Sequence, residues 1–367
     1  MLLYLFFGMA WEAPKVKQKA IALFQQYRCD MILLVSLLIA GIKLVLNIDR
    51  VSDLRMFDET IYLASGLQLI EDGLPDPQWG PLYGVWYFLL SRLTADPVSL
   101  HFLNQQVLPI AIVIALYLYL RTLAVSPAIS LAASGLFLIS DILEIDPRPT
   151  HFALLILLIT LIVATPTRTA IAYLSRLGIG VLLMSYVRPE YTLSVVLILA
   201  IAIYELIYSF KTPVNRKRNF SEIGLFLLSA ILLLILIGNP LAGGRSWFAF
   251  SQHFSLNWAA WNHLTLNPWD HHVDWIPILF DGADNLAEAF GNSPVLFVRH
   301  ILANLNRYLN TSIAILFVSF QSFGWSSVFV DKLIFAEIVL LAFVCRRIFQ
   351  KRTRIIQNLD RKQWRRL

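Results

Sequence analysis

Apolar segments carrying almost no charge recur along this chain, at about 31–48, 103–121, 127–143, 151–165, 170–187, 191–209 and 222–239. Two less regular ones follow at 308–330 and 332–346. Inside a bilayer no water satisfies the backbone, so segments of this kind cross only as helices. Composition agrees: 57% of residues are hydrophobic and the mean hydropathy is +0.65, against roughly 45–50% apolar in soluble domains. The expectation is an all-α polytopic membrane protein with about 8–9 transmembrane helices and surface-lying helices in its first external loop. Several segments are short for a span of about 20 residues, which calls for tilted helices. The opening "MLLYLFFGMA" lacks a positive leader, so it reads as an interfacial segment or a fringe of the open reading frame rather than a signal peptide.

The charges sort by loop. Lys15, Lys17, Lys19 and Arg28 precede the first span, and Lys211, Arg216, Lys217 and Arg218 lie between the sixth and seventh. A basic tail begins at Arg346. The positive-inside rule makes these regions cytoplasmic, so both termini are internal. Residues 49–101 hold eight acidic groups (Asp49, Asp53, Asp58, Glu59, Glu71, Asp72, Asp76 and Asp96) and belong outside, as does 241–307. The net charge of +6 therefore reflects orientation and contact with membrane lipids, and nucleic acid is not an expected partner. An internal tail after an external 241–307 needs an odd number of later spans. "YLNTSIAILFVSFQSFGW", interrupted by Gln321, Ser322 and Gly324, reads as re-entrant or interfacial, which favours eight full spans. The domain reading is a membrane module over 1–240 with its external loop 49–101, an aromatic external loop 241–307, membrane helices over 308–349 and a basic tail 350–367. Cys29 and Cys345, both near cytoplasmic ends, suggest neither a disulfide framework nor a metal site.

The first external loop contains "RMFDETIYLASGLQLIEDG". Phe57, Ile61 and Leu69 share one face of a helix there, and Asp58, Tyr62 and Ser65 share another. Acidic residues at its start suit the helix dipole. Pro75, Pro77, Gly80 and Pro81 then break the chain, and an amphipathic aromatic helix from Leu82 leads to the second span. This order of parts, with "DETIY" followed by "GPLY", resembles the GT-C superfamily of membrane glycosyltransferases. It is closest to the branch with protein O-mannosyltransferases and the aminoarabinose transferase of lipid A, which carries "DE…Y" and "PPLYY". The resemblance covers residues 31–240. It implies a polyprenyl-phosphate sugar donor, a catalytic base at Asp58 with Glu59 as its partner, and substrate contacts from Tyr62 and Tyr83. Two departures bear on the substrate: Trp79 and Gly80 stand where the family has a Lys, and no large soluble C-terminal domain follows.

The chemistry argues the same way without the resemblance. A lipid phosphate leaves readily, so the enzyme needs a base to take the acceptor's proton rather than an acid. One displacement with one base inverts the anomeric centre. The bland alternative is a solvated helix start. The donor phosphate also needs cations, and Arg148 in "EIDPRPTH", Arg188 in "YVRPEY" and Arg245 in "NPLAGGRSW" fall where spans meet the external face. His151 and Glu190 accompany them as candidate substrate contacts. The alternative for these arginines is snorkelling or, for Arg188, a turn-shaping pair with Glu190. Five of the ten tryptophans lie between Trp247 and Trp275, with His253, His263, His271 and His272 nearby. His253 is a candidate substrate contact, whereas most of these tryptophans read as a headgroup belt. "WDHHVD" offers ligand types to a metal, but adjacent histidines point in different directions. A divalent cation (Mg or Mn) at Asp58 would suit the phosphate better.

The expected activity is sugar transfer from the lipid-phosphate donor to a glycan, lipid or protein acceptor on the external face of a membrane, with the bacterial inner membrane as the expected location. The alternatives are a transporter or flippase of lipid-linked sugars, an enzyme like an O-antigen polymerase or ligase, and a non-catalytic assembly subunit. A flippase would place polar groups at mid-membrane, whereas here the acidic groups crowd one external face.

Overall fold

The computed structural model describes residues 14–51, 54, 56, 58–140, 148–167, 169–209, 216–242 and 244–318. Among them the secondary structure is helical, with no strand. The principal helices are α1 (Pro14–Val45), α2 (Glu59–Leu67), α3 (Pro81–Leu90), α4 (Pro97–Thr122), α5 (Pro127–Leu138), α6 (Pro149–Ala164) and α7 (Ala170–Ser185). They continue with α8 (Thr192–Ser209), α9 (Arg216–Leu236), α10 (Arg245–Trp261), α11 (Pro268–Leu279), α12 (Leu286–Asn292) and α13 (Pro294–Val318). Among the described residues, four stretches are long and apolar enough to cross a membrane: Arg28–Arg50, Pro97–Thr122, Pro189–Ile207 and Asn219–Leu236. The predicted spans at 127–143, 151–165 and 170–187 appear as shorter apolar helices, Pro127–Leu138, Pro149–Ala164 and Ala170–Ser185. The chain is thus an all-α membrane protein. The expected span at 332–346, the later part of 308–330, the basic tail and Cys345 lie outside the described residues, while Cys29 is an exposed free thiol.

The chain divides into two compact units, residues 1–138 with 143–298, and residues 139–142 with 299–367. The described part of the second unit is chiefly the later portion of α13.

In the first unit, α4 packs against α1, α5 and α6, α1 also meets α5, and α7 packs against α6, α8 and α9. Paired charges fasten one end of this bundle. Arg121, at the end of α4, donates to Asp30 on α1 at 2.8 Å, and Tyr117 donates to the same carboxylate at 2.6 Å. Arg176 on α7 joins Glu222 on α9 at 3.0 Å and reaches the Val163 carbonyl at the end of α6. At the other end the connections fold over the bundle. The Leu82 amide donates to the Tyr186 carbonyl at 3.2 Å, and the Tyr186 hydroxyl donates to the Gly238 carbonyl at 2.7 Å. Gly80 makes that closure: it takes φ +65°, and a Cβ there would lie 2.5 Å from the Val187 carbonyl oxygen.

Beyond α9, the aromatic region builds a core of its own. Phe250, Phe254, Ile276 and Phe280 are buried between α10 and α11, and Trp247, Trp258 and Trp261 pack against them. For these three tryptophans the headgroup-belt reading gives way to packing: a helical hairpin closes on them. Trp269, 45% exposed, stays on the surface.

Candidate functional site

α2 starts at Glu59 with Asp58 as its cap residue, but the Asp58 side chain makes no capping bond to the helix. Asp58 is exposed, so its carboxylate is open to approach. Residues four apart share a helix face, and Tyr62 follows Asp58 by one turn. Tyr62 is buried, 2% exposed. Its ring lies edge-on to Tyr83 at 5.2 Å, and Gly80 leaves it room, since a Cβ there would come within 3.3 Å of it.

The Tyr62 hydroxyl marks the meeting of three charges. Burial raises its pKa; opposing that are the positive charges of Arg245 and Arg188, the latter also hydrogen-bonded to it, while Asp58 adds to the rise. Arg245, the first residue of α10, holds its guanidinium 4.6 Å above the Trp79 ring, a cation–π geometry. Arg188 lies in the turn between α7 and α8, 3.9 Å from the exposed Glu190. Asp58, Tyr62, Arg188 and Arg245, read from three separate loops, therefore gather at one mouth, joined by Trp79, which the sequence marked only as standing in place of the family's Lys.

Glu59 points the other way. It is 6% exposed and reaches into a polar cluster under the mouth. Tyr83 donates a very short hydrogen bond to its Oε1, Tyr87 donates to the same oxygen at 2.5 Å, and the Asn104 amide lies 3.4 Å away. The Asn104 amide nitrogen donates to both phenol oxygens, at 2.8 and 2.9 Å, and its carbonyl accepts from Trp86 Nε1 at 2.7 Å. Burial pushes both phenols up in pKa, and the Glu59 charge adds to it. Tyr83 is thus a partner of Glu59 and is fully buried.

Arg148 is exposed and precedes the first turn of α6, with His151 half-buried one residue before Phe152. Phe152 stacks on Trp86 at 5.3 Å and leans on Tyr83 at 5.6 Å. These two candidates thus lie in the chain just ahead of Phe152, which packs on the buried cluster. His253, exposed on α10, meets Trp269 edge-on at 5.9 Å. In "WDHHVD", His271 pairs with Asp274 at 3.0 Å and His272 bonds the Trp269 carbonyl at 2.7 Å, so the two rings have separate partners. Among the described residues no three His, Cys, Asp or Glu side chains group as a metal-holding set, at Asp58 or elsewhere.

Asn104, Tyr87 and Trp86 were missed because their signal is pairwise. Asn104 sits in an apolar stretch, and only the fold brings it to a carboxylate 45 residues earlier. No protein-family model, curated protein or solved structure matches the chain.

Proposed function

We propose that this chain is a membrane glycosyltransferase of the GT-C kind, moving a sugar from a polyprenyl-phosphate donor to an acceptor at the external face. The observation that carries the reading is the surroundings of Tyr62, where an exposed carboxylate and two guanidinium groups all act on one buried phenol. That set matches the reaction's needs. Arg188 and Arg245 bind the donor phosphate, as Arg suits phosphate oxygens through its planar fork of donors. Asp58 takes the proton from the acceptor hydroxyl or amine. The acceptor atom bonds to the anomeric carbon as the carbon–oxygen bond to phosphate breaks, and the polyprenyl phosphate leaves with the electron pair. One displacement gives an inverted product.

The fuller reading has eight or nine spans, both termini cytoplasmic, and residence in a bacterial inner membrane. The acceptor is a glycan, a lipid or a protein. A divalent cation beside Asp58 fits the phosphate chemistry.

The test is turnover of a lipid-linked sugar by purified protein in nanodiscs. Asp58→Asn keeps the side chain's shape but removes the proton acceptor, so kcat falls at least about a hundredfold with donor KM little changed. Arg188→Ala or Arg245→Ala raises donor KM by roughly 10–150-fold, the loss of one charge-assisted contact of about 1.5–3 kcal/mol. Normal turnover by Asp58→Asn, or a retained product, rejects the mechanism.

A further inference from the structure

The buried cluster under the mouth has a direction. Trp86 donates to Asn104, Asn104 donates to both Tyr83 and Tyr87, and both phenols donate to one oxygen of Glu59. Every hydrogen runs toward Glu59, the pattern that an ionised carboxylate completes. Burying such a group is expensive, and a well-packed apolar replacement is often as stable or more so. Packing alone therefore does not account for it.

Its place on α2 suggests what it does. Successive helix residues lie about 100° apart around the axis, since a turn takes 3.6 residues. A fixed Glu59 therefore fixes the direction in which Asp58 leaves the same turn. Further along the helix, Gly66 brings the backbone against α3: a Cβ there would lie 2.4 Å from Tyr87 Cβ. The two contacts hold both ends of the short helix, and Tyr87 takes part in each.

We propose that Tyr83, Tyr87 and Asn104 are positioning residues, which through Glu59 lock the rotation of α2 so that Asp58 and Tyr62 face the Arg188–Arg245 mouth. The proposal rests on the transferase reading for its catalytic consequence, but the lock has a readout of its own. It assigns Glu59 to holding the helix and leaves acceptor and donor contact to the residues of the mouth.

The test uses the full chain in nanodiscs, with Cys29 and Cys345 changed to Ser. Nitroxide labels go on Thr60→Cys and Ser246→Cys, both exposed, and leave Asp58 and the arginines intact. Pulsed EPR then reads the distance between α2 and α10. With the native cluster the distribution is narrow; with Tyr83→Phe and Tyr87→Phe together it broadens. Tyr87→Phe alone, a milder change, broadens it less and serves if the double variant does not fold. In unlabelled protein the same changes lower kcat roughly 10–100-fold, the scale of a misplacement of about 1 Å, while donor KM stays within about twofold. A purely structural role would lower the active fraction without separating kcat from KM once active protein is counted. An unchanged distance distribution in the double variant overturns the lock. If distances broaden but native protein transfers no sugar, the lock stands and the transferase reading falls.

Discussion

Three tyrosines near the mouth, Tyr62, Tyr83 and Tyr87, are buried, and burial raises the pKa of each. In the unfolded chain a phenol titrates near 10. Between that pH and the higher folded values, the unfolded state has lost protons that the folded state keeps. Folded stability is therefore full below about pH 10 and falls as pH rises beyond it, by up to about 1.4 kcal/mol per pH unit for each such phenol. Thermal unfolding followed from pH 8 to 11 should show this alkaline loss, and it should flatten in Tyr83→Phe and Tyr87→Phe. An equally steep alkaline loss in those variants would mean that other groups carry it. At this scale the sequence was informative about charge and silent about direction. Asp58, Arg188 and Arg245 stand out because ionisable groups at a membrane boundary are few and each needs a reason. That Glu59 turns inward while its neighbour turns outward depends on Tyr87 and Asn104, which no local pattern connects to it.

Between elements, the closest approach that bears on the site is α2 on α3. At Gly66 a methyl group would meet Tyr87 Cβ and would lie 2.9 Å from the Gly84 carbonyl oxygen. Gly66→Ala must push the helices apart, at a cost of about 1–3 kcal/mol. Gly224→Ala on α9, with nothing within 4 Å of the added carbon, is the matched control and should be close to neutral. A thermal-unfolding comparison in nanodiscs checks both; equal midpoints would show that the α2–α3 seam yields without cost. The helix from Leu82 and the Pro/Gly break before it were legible, because Pro81 and Gly80 punctuate the chain strongly. The start of α4 was not. Hydropathy places it near 103, whereas the helix begins at Pro97, where the Asp96 carboxylate accepts from the Ser99 amide at 2.8 Å. Pro97, Ser99 and His101 lower the hydropathy ahead of 103, yet His101 is fully buried in the fold. The aromatic region shows a related failure: tryptophan spacing alone does not separate a lipid-facing belt from the packed core of α10 and α11.

Over the whole bundle, charge and geometry divide into two ends along α4. Its 26 residues span about 39 Å at 1.5 Å per residue, enough to cross the hydrocarbon of a bilayer. At its Pro97 end lies Asn104 with the cluster that supports the mouth, and at its Thr122 end Arg121 is fastened to Asp30. In the proposed orientation, with the positively charged loops inside, the Thr122 end faces the cytoplasm. Asp76 and Thr122 are both exposed and belong to opposite ends. A thiol at Asp76→Cys, with the native cysteines removed, should react with a membrane-impermeant maleimide in intact cells, or in spheroplasts if an outer membrane bars the reagent. One at Thr122→Cys should react only after the membrane is permeabilised. The reverse pattern would put the carboxylate and the two arginines inside, where a nucleotide-sugar donor would replace the lipid-linked one and the proposed chemistry would lose its substrate. Labelling of both thiols before permeabilisation would mean that α4 does not cross, and the span assignments would then have to be redrawn from that helix outward.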